Sequence, residues 1–222
     1  MKLKDNESIA VLGIFLGAVG LLSALVLALV SHVTASPIAA AQAAQQKKAM
    51  GMVLPAFDND PSQLVYEAKT SSGWNVKFMG AKKSGKLVAV AAVASNPGGY
   101  GGKIEMLMGI APDGKILASL ITANNETPGL GANVCARVFN KTIFNITKPV
   151  PAGLAPNIYL DQFNGKAASK DAPWKVRKDG GSFDYRTGAT ITSAAITTLA
   201  YEIDLAYMEN KKEILSRFGG EK

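Results

Sequence analysis

The chain has 222 residues, of which 48% are hydrophobic, and its formal net charge is +7. It contains one cysteine, Cys135, and one histidine, His32, so an internal disulfide, an iron–sulfur cluster, a zinc site and a Cys/His nucleophile cannot be built from their usual ligands. Its lysines are scattered rather than interleaved with aromatic residues, which argues against nucleic-acid binding. Any redox activity would therefore depend on a bound organic cofactor, and we expect no metal site.

The N-terminal segment predicts a membrane anchor. No Asp, Glu, Lys or Arg occurs from Ser8 through Gln46, and residues 9–33 are almost wholly apolar. About 20 such residues cross a bilayer as a helix, whereas the apolar core of a cleaved signal peptide has about 7–15. We therefore expect an uncleaved transmembrane helix at 9–33, followed by a connecting helix and linker at 34–60.

The charges beside the anchor predict its orientation. Lys2, Lys4 and the free amine outweigh Asp5 and Glu7, which favours a cytoplasmic N-terminus at residues 1–8. Residues 61–222 would then form a domain on the outer side of the membrane. Because residues 1–46 carry no net charge, the whole positive charge belongs to the rest of the chain. This positive charge is consistent with a surface that faces a partner or anionic lipid, and equally with a surface that is only solvated.

Beyond the anchor, apolar periodicity and turn residues predict a small α+β domain. Strands are predicted at 74–79, 86–94, 103–111, 115–123 and 159–163, with a hairpin turn at 112–114. Helices are predicted at 37–54, at 133–144 with Cys135 pointing inward, and at 191–218; residues 58–62 and 149–156 are predicted to be irregular. Strand hairpins with flanking helices indicate an α+β fold with a mostly antiparallel sheet, preceded by one transmembrane helix.

The most informative stretch is Asp-Tyr-Arg-Thr-Gly-Ala-Thr-Ile-Thr-Ser at 184–193, at the start of the last predicted helix. The N-terminus of a helix favours phosphate, because its first N–H groups and its dipole both attract negative charge. Gly188 permits a turn that a larger residue would resist, and Ala189 keeps the approach open. Thr190 would place a hydroxyl beside a bound phosphate. Taken alone, the same segment is equally well explained as an ordinary hydroxyl-rich helix cap.

A second motif, Glu-Thr-Pro-Gly-Leu-Gly, stands at 126–131, where Pro-Gly by itself is a common turn signal. The glycine-rich segment 98–104 precedes it, and Asp-Gln-Phe-Asn-Gly-Lys follows at 161–166. The glycine-rich segment lacks the spacing of a dinucleotide-binding fingerprint and predicts a turn.

From about residue 37 to 218, these motifs in this order resemble the FMN-binding subunits of the Rnf and sodium-pumping NADH:quinone reductase complexes. The resemblance implies FMN attached through a phosphoester to Thr190, with Thr187, Gly188, Ala189 and Thr192 around it. It also implies that Glu126, Thr127, Gly129, Leu130 and Gly131 form the loop that packs against the isoalloxazine ring. The chain departs from many relatives at Asn124-Asn125, where they carry a histidine, which removes any role for an imidazole there.

By the same resemblance, the chain is expected to be an electron-relay subunit, the G subunit of an Rnf-type complex in a bacterial cytoplasmic membrane. Such a complex moves electrons between ferredoxin and NAD while ions cross the membrane. The implied partners are the other membrane subunits, the lipid bilayer and a separate flavin transferase, because no activating base lies near Thr190 in sequence. We expect no independent catalysis and no catalytic residue in the chain.

Three alternatives stand beside this interpretation. The chain length and the Thr-Gly-Ala-Thr-Ile-Thr-Ser spelling argue against the C subunit of the quinone reductase, which tends to be longer and to begin the motif with serine. A membrane-anchored flavin-dependent reductase would need a further catalytic domain, for which no stretch of the chain is left. A tethered binding or structural protein without flavin would leave the two matched motifs unexplained.

Overall fold

The computed structural model describes residues 9–139, 149 and 153–219, and the chain divides into two compact units, Met1–Lys47 and Lys48–Lys222. The described residues of the first unit, 9–47, belong to helix α1, Ile9–Val53, whose last residues belong to the second unit. Within the described residues, α1 is the single helix long and apolar enough to cross a membrane, with a mean hydropathy of 2.6 in its most apolar window of 18 residues.

Helix α1 differs from the predicted division into two helices, because the anchor and the connecting helix are one continuous element with Pro37 inside it. A proline in a helix removes one backbone N–H donor, yet the residues around Pro37 are exposed and helical. The helix ends at Val53, two residues before Pro55, whose ring disfavours helical backbone in the residue before it.

The second unit is built on a five-stranded antiparallel sheet. Its strands are β1 (Val65–Lys69), β2 (Asn75–Lys83), β3 (Lys86–Gly99), β4 (Gly102–Ile110) and β5 (Ile116–Ala123), and their order in the sheet follows their order in the chain. The predicted hairpin turn at 112–114 joins β4 to β5, and Gly114 has a φ of 103°. Strand β1 was not predicted: it is a short edge strand with a single buried residue, Ala68, and so shows little alternation. A 3-10 helix, Pro61–Gln63, precedes it and overlaps the end of the predicted loop at 58–62.

The two faces of the sheet are covered by different elements. The long C-terminal helix, Thr190–Gly219 and hereafter α4, packs on one face against alternate strand residues, which include Phe78, Ala92, Met106 and Met108. The other face buries Met79, Ala91 and Leu107 against the last turns of α1 from Ala49 onward. Side chains alternate across a strand, so one sheet supports both apolar layers.

Helix α4 is buried on nearly all sides from Thr192 to Tyr207. Its face away from the sheet is covered by the segment around residues 163–176, where Ala168 and Trp174 pack on Tyr201 and Leu205. At the start of α4, Ala189 is buried in the same core cluster as Ala195 and Ile196, so the backbone around Thr190 is anchored to the core.

Two short helices differ from the predictions. Helix α3, Ile158–Asp161, replaces the strand predicted at 159–163, which is therefore wrong; Asn157 caps it by accepting hydrogen bonds from the N–H groups of Tyr159 and Leu160. Helix α2, Gly131–Cys135, is much shorter than the helix predicted at 133–144. Residues 136–139 are not helical, and 140–144 lie outside the described residues. Cys135 is buried, as predicted. The predicted α+β class with an antiparallel sheet and flanking helices is confirmed.

Candidate functional site

The first motif forms a tight turn that leads into α4. Gly188 has a φ of 82°, a left-handed backbone conformation that favours glycine, and the N–H of Ala189 donates to the carbonyl of Arg186 at 2.9 Å. Thr190 is the first helical residue and is half-buried, whereas Thr187 is exposed. Ile191, the first residue of the predicted helix, is 55% exposed. The motif therefore presents Thr190 at an accessible helix start.

Backbone hydrogen-bond donors at this helix start have no acceptor in the described part of the chain. Among the described residues, no acceptor contacts the backbone N–H groups of Thr190 and Ile191, so the predicted hydroxyl cap of the first turn does not form. Ser193 instead accepts the N–H of Arg186 with its Oγ, at 3.2 Å, and donates to the carbonyl of Ala189. Free N–H groups at a helix start favour an anion.

The second motif is a turn followed by a helix. The N–H of Leu130 donates to the carbonyl of Thr127 at 3.1 Å, and Gly129 has a φ of 80°. A proline followed by a glycine with positive φ is the usual composition of a type II turn. Thr127 is exposed and Leu130 is 45% exposed, so this turn presents an apolar side chain to the surface.

Glu126 joins three segments that are distant in sequence. It is buried, and its Oε2 accepts a hydrogen bond of 2.6 Å from the hydroxyl of Thr192 in the first turn of α4. Its Oε1 accepts the N–H of Gly101, in the turn between β3 and β4, at 3.1 Å. Gly131 lies so close that an added Cβ would overlap the Glu126 carboxylate and lie 2.6 Å from the Thr192 Oγ1. Both carboxylate oxygens of Glu126 are thus occupied by protein donors.

A second set of contacts joins the two motifs at the surface. The guanidinium of Arg186 donates through Nη2 to the carbonyl of Gly129 at 3.2 Å. A Cβ built on Gly188 would lie 3.5 Å from Cδ2 of Leu130, which is an ordinary van der Waals contact. The structure therefore brings the ten predicted site residues of the two motifs into one contiguous region.

The start of the first motif rests on the segment that follows α3. Gln162 accepts the N–H of Asp184 at 2.7 Å and donates to its carbonyl at 3.2 Å. Phe163 packs beside Phe183 with ring centroids 5.3 Å apart, and both rings contact Trp174. The Asp184 carboxylate pairs with Arg177 at 3.1 Å, where both side chains are largely exposed, so this ion pair contributes little to stability.

Cys135 lies in α2 behind the second motif. Burial, and to a smaller extent the neighbouring carboxylate of Glu126, raises the pKa of its thiol to about 12. The thiolate, which is the nucleophilic form, is therefore disfavoured at neutral pH.

Three polar residues in and around this region were not singled out from the sequence. Asn96, buried at the end of β3, donates to the carbonyl of Ala195 and accepts the N–H of Gly98, which ties the glycine-rich turn to α4. Arg137 donates to the carbonyls of Ser119 and Ala155 and pairs with Asp161 at 2.7 Å. Asn96 follows the apolar run of β3, and a polar residue at this place was the signal available in the sequence. No local pattern distinguishes Arg137.

The third of these residues, Arg186, lies inside the first motif. Its Nε is buried and has no hydrogen-bond acceptor among the described residues. A cation with an unused donor, free helix N–H groups, a half-buried hydroxyl and an exposed leucine together fit a ligand that combines a phosphate with an apolar ring system. FMN has both parts: Thr190 and Arg186 would hold the phosphate end, and Leu130 would contact the ring.

Comparison with known proteins agrees with this fit. Residues 99–203 match the family of FMN-binding domains, a range that contains both motifs, strands β4 and β5 and the start of α4. Residues 1–53 match the RnfG N-terminal region, a range that ends at the last residue of α1.

Individual relatives align over most of the chain. The G subunit of the ion-translocating oxidoreductase complex of Cereibacter sphaeroides is 33% identical over 215 residues, covering 95% of this chain and 90% of that protein. The corresponding protein of Photorhabdus laumondii is 33% identical over 211 residues, covering 92% of each. That of Pseudomonas aeruginosa is 31% identical over 211 residues, covering 91% of this chain and 90% of that protein. The chain therefore belongs to the family of G subunits of ion-translocating oxidoreductase complexes, as a subunit with an FMN-binding domain.

Proposed function

We propose that this protein carries FMN covalently, as a phosphoester on Thr190, and that it relays electrons within an Rnf-type ferredoxin:NAD oxidoreductase. The observation that carries the attachment site is the meeting of the two motifs around the start of α4. Thr190 is the half-buried hydroxyl residue at that start, whereas the hydroxyl of Thr192 is buried and donates to Glu126. Thr187 is exposed, two residues outside the helix.

Attachment by a separate flavin transferase is part of this proposal. A threonine hydroxyl is a weak nucleophile unless a neighbouring base removes its proton. Among the described residues, no side chain makes a hydrogen bond to the Thr190 hydroxyl, and the Glu126 carboxylate is engaged by Gly101 and Thr192. The described residues therefore offer no activating base at Thr190, and a transferase that uses FAD would supply it.

FMN, when bound, accepts and donates one or two electrons, so it can connect donors and acceptors of different kinds. The contribution of the chain is to hold it. The helix start favours the negative charge of the phosphate, Leu130 supplies apolar surface for the ring, and Glu126 fixes the two motifs to each other. No catalytic residue is assigned, because the substrates of the complex would be handled by other subunits.

Membrane attachment by α1 supports a place within a membrane complex. Residues 9–33 would span the cytoplasmic membrane with residues 1–8 in the cytoplasm, and residues 61–222 would form the FMN domain on the outer side. The connecting part of α1 and the linker, 34–60, would join them. In this arrangement the anchor is held in the lipid bilayer and keeps the flavin close to its electron donors and acceptors in the other subunits.

The attachment site is tested by co-expressing the full chain with a flavin transferase. Wild-type protein should fluoresce in a denaturing gel under ultraviolet light, and its intact mass should show one FMN. Thr190→Ala should be dark, and Thr190→Ser, which keeps a hydroxyl, is the matched control for attachment. Thr187→Ala and Thr192→Ala should keep the flavin; its loss from either variant together with its retention in Thr190→Ala would show that Thr190 is the wrong residue.

The relay role is tested on the purified full chain. Dithionite should reduce the flavin, whereas NADH alone should not reduce it at a useful rate, because the described residues include no nucleotide-binding glycine fingerprint after a strand. Rapid NADH oxidation by the isolated protein would instead support a membrane-anchored flavin-dependent reductase.

A further inference from the structure

The guanidinium of Arg186 lies between the two motifs, and part of its hydrogen-bonding capacity is unused. Nη2 donates to the carbonyl of Gly129 at 3.2 Å. Nε is buried, and no acceptor contacts it among the described residues. The guanidinium stays protonated in proteins and has five N–H donors, and a buried donor without a partner is destabilising. The Nε–H therefore has room for an acceptor that the described part of the chain does not supply.

The other arginines of the chain show how unusual this is. The chain has four, and in the described residues three of them pair with a carboxylate: Arg137 with Asp161, Arg177 with Asp184 and Arg217 with Glu213. Arg186 has no carboxylate partner there, although Glu126 lies in the adjoining motif. The oxygens of Glu126 are taken by the hydroxyl of Thr192 and the N–H of Gly101.

The position of Arg186 relative to Thr190 indicates which acceptor fits. The two residues are four apart, across the turn closed by the hydrogen bond from the N–H of Ala189 to the carbonyl of Arg186. An arginine prefers phosphate or carboxylate oxygens, which it binds with charge-assisted hydrogen bonds. A phosphoester on Thr190 would place one negative charge at the free N–H groups of the helix start, four residues along the chain from this cation.

We propose that Arg186 is the phosphate-binding cation of this flavin site, with its Nε–H donating to a phosphate oxygen of the FMN on Thr190. This inference rests on the proposed attachment. Through Nη2, the same side chain binds the turn of the second motif, so it connects the phosphate end of the ligand to the loop assigned to the ring. Arg186 is therefore a positioning residue for the flavin and takes no part in electron transfer itself.

A purely structural role is the competing explanation, in which Arg186 only joins the two motifs through the Gly129 carbonyl. The two explanations differ in what happens at Nε. A phosphate ligand gives the Nε–H a strong acceptor when the flavin is attached. If Arg186 only joins the two motifs, its Nε–H has the same environment with and without flavin.

The test uses the full chain in detergent micelles with ¹⁵N-labelled arginine, prepared with and without co-expressed flavin transferase. The Arg186 Nε–H resonance, assigned by its loss in Arg186→Lys, should shift downfield when the flavin is attached and should show a coupling to ³¹P across the hydrogen bond. The Nε–H resonance of Arg217, near the far end of α4, is the internal control and should not move. An Arg186 resonance that is the same in flavin-loaded and flavin-free protein would overturn the proposal.

A second measurement reads the phosphate directly. In flavin-loaded protein, Arg186→Gln should shift the ³¹P resonance of the phosphoester, whereas the matched surface change Arg217→Gln should leave it in place. The intact mass of the protein shows whether flavin is attached, and so distinguishes failure of the proposed attachment from failure of the proposed role of Arg186. Flavin on Thr190 with an unresponsive Arg186 would refute the arginine alone, and absence of attached flavin would refute both the attachment and this inference.

Discussion

Asp204 should make the stability of the flavin domain fall as the pH rises through neutrality. The residue lies in α4 and is 0% exposed. Its Oδ2 accepts the N–H of Ala168, and no donor contacts its Oδ1 among the described residues. Burial raises the pKa of this carboxyl from 3.8 to about 7, and the hydrogen bond from Ala168 only partly opposes that effect.

The sign follows from the proton balance. Between about pH 4 and pH 7, the folded protein keeps the proton of Asp204 and the unfolded chain has lost it, so the free energy of unfolding decreases over this range. Above the folded pKa both states are ionised, and the decrease stops. A difference of about three pKa units corresponds to about 4 kcal/mol in total, of which about 2–3 kcal/mol falls between about pH 5 and pH 8.

The assay is urea unfolding of the full chain in detergent micelles at several pH values, followed by tryptophan fluorescence. Trp174 is a suitable reporter because its ring packs on Tyr201 in the same cluster that covers this part of α4. The chain has one histidine, His32, and it lies in α1. The wild-type protein should lose about 2–3 kcal/mol of unfolding free energy between about pH 5 and pH 8.

Asp204→Asn should remove most of this pH dependence, because the amide cannot ionise. Asp113→Asn is the matched control: that carboxylate is exposed in the β4–β5 turn, and the backbone N–H of Lys115 lowers its pKa, so it titrates below the window. An Asp204→Asn protein that keeps the wild-type slope would show that another group is responsible and would refute the reasoning.

Three further outcomes are expected. Arg137→Met should lower the free energy of unfolding by about 3 kcal/mol, because it removes a side chain that is 4% exposed and makes three hydrogen bonds. Urea unfolding measures this change, and an unchanged urea midpoint would contradict it. Gly131→Ala should lower the free energy of unfolding by about 1–3 kcal/mol and reduce flavin attachment, because the new Cβ would overlap the Glu126 carboxylate. The control Gly51→Ala, at an open position on α1, should change neither property. Leu130→Asp should alter the flavin absorbance or potential without preventing attachment, and an unaltered spectrum and potential would count against the assignment of this loop to the ring.

Much of this protein could be predicted from its sequence, because the signals are local. A long apolar run without charges specifies a helix for the membrane, and apolar residues at period two specify strands, whatever their neighbours are. The turn residues at 112–114 and Gly188 could be recognised because few residues adopt their backbone conformations. The motif at 184–190 was recognisable for the same reason: its residues are contiguous in the chain.

The rest depended on contacts between residues far apart in the chain. Residues 159–163 look strand-like, yet Asn157 caps a helix there, and no local pattern distinguishes the two. Ile191 fits the apolar period of α4 and is nevertheless exposed, because the packing partners of the helix begin one residue later. The engagement of both oxygens of Glu126 and the unpaired Nε of Arg186 are likewise products of tertiary structure. A hydrogen bond between residues 66 positions apart leaves no trace in the local sequence, so only the fold decides which polar groups are satisfied and which stay free for a ligand.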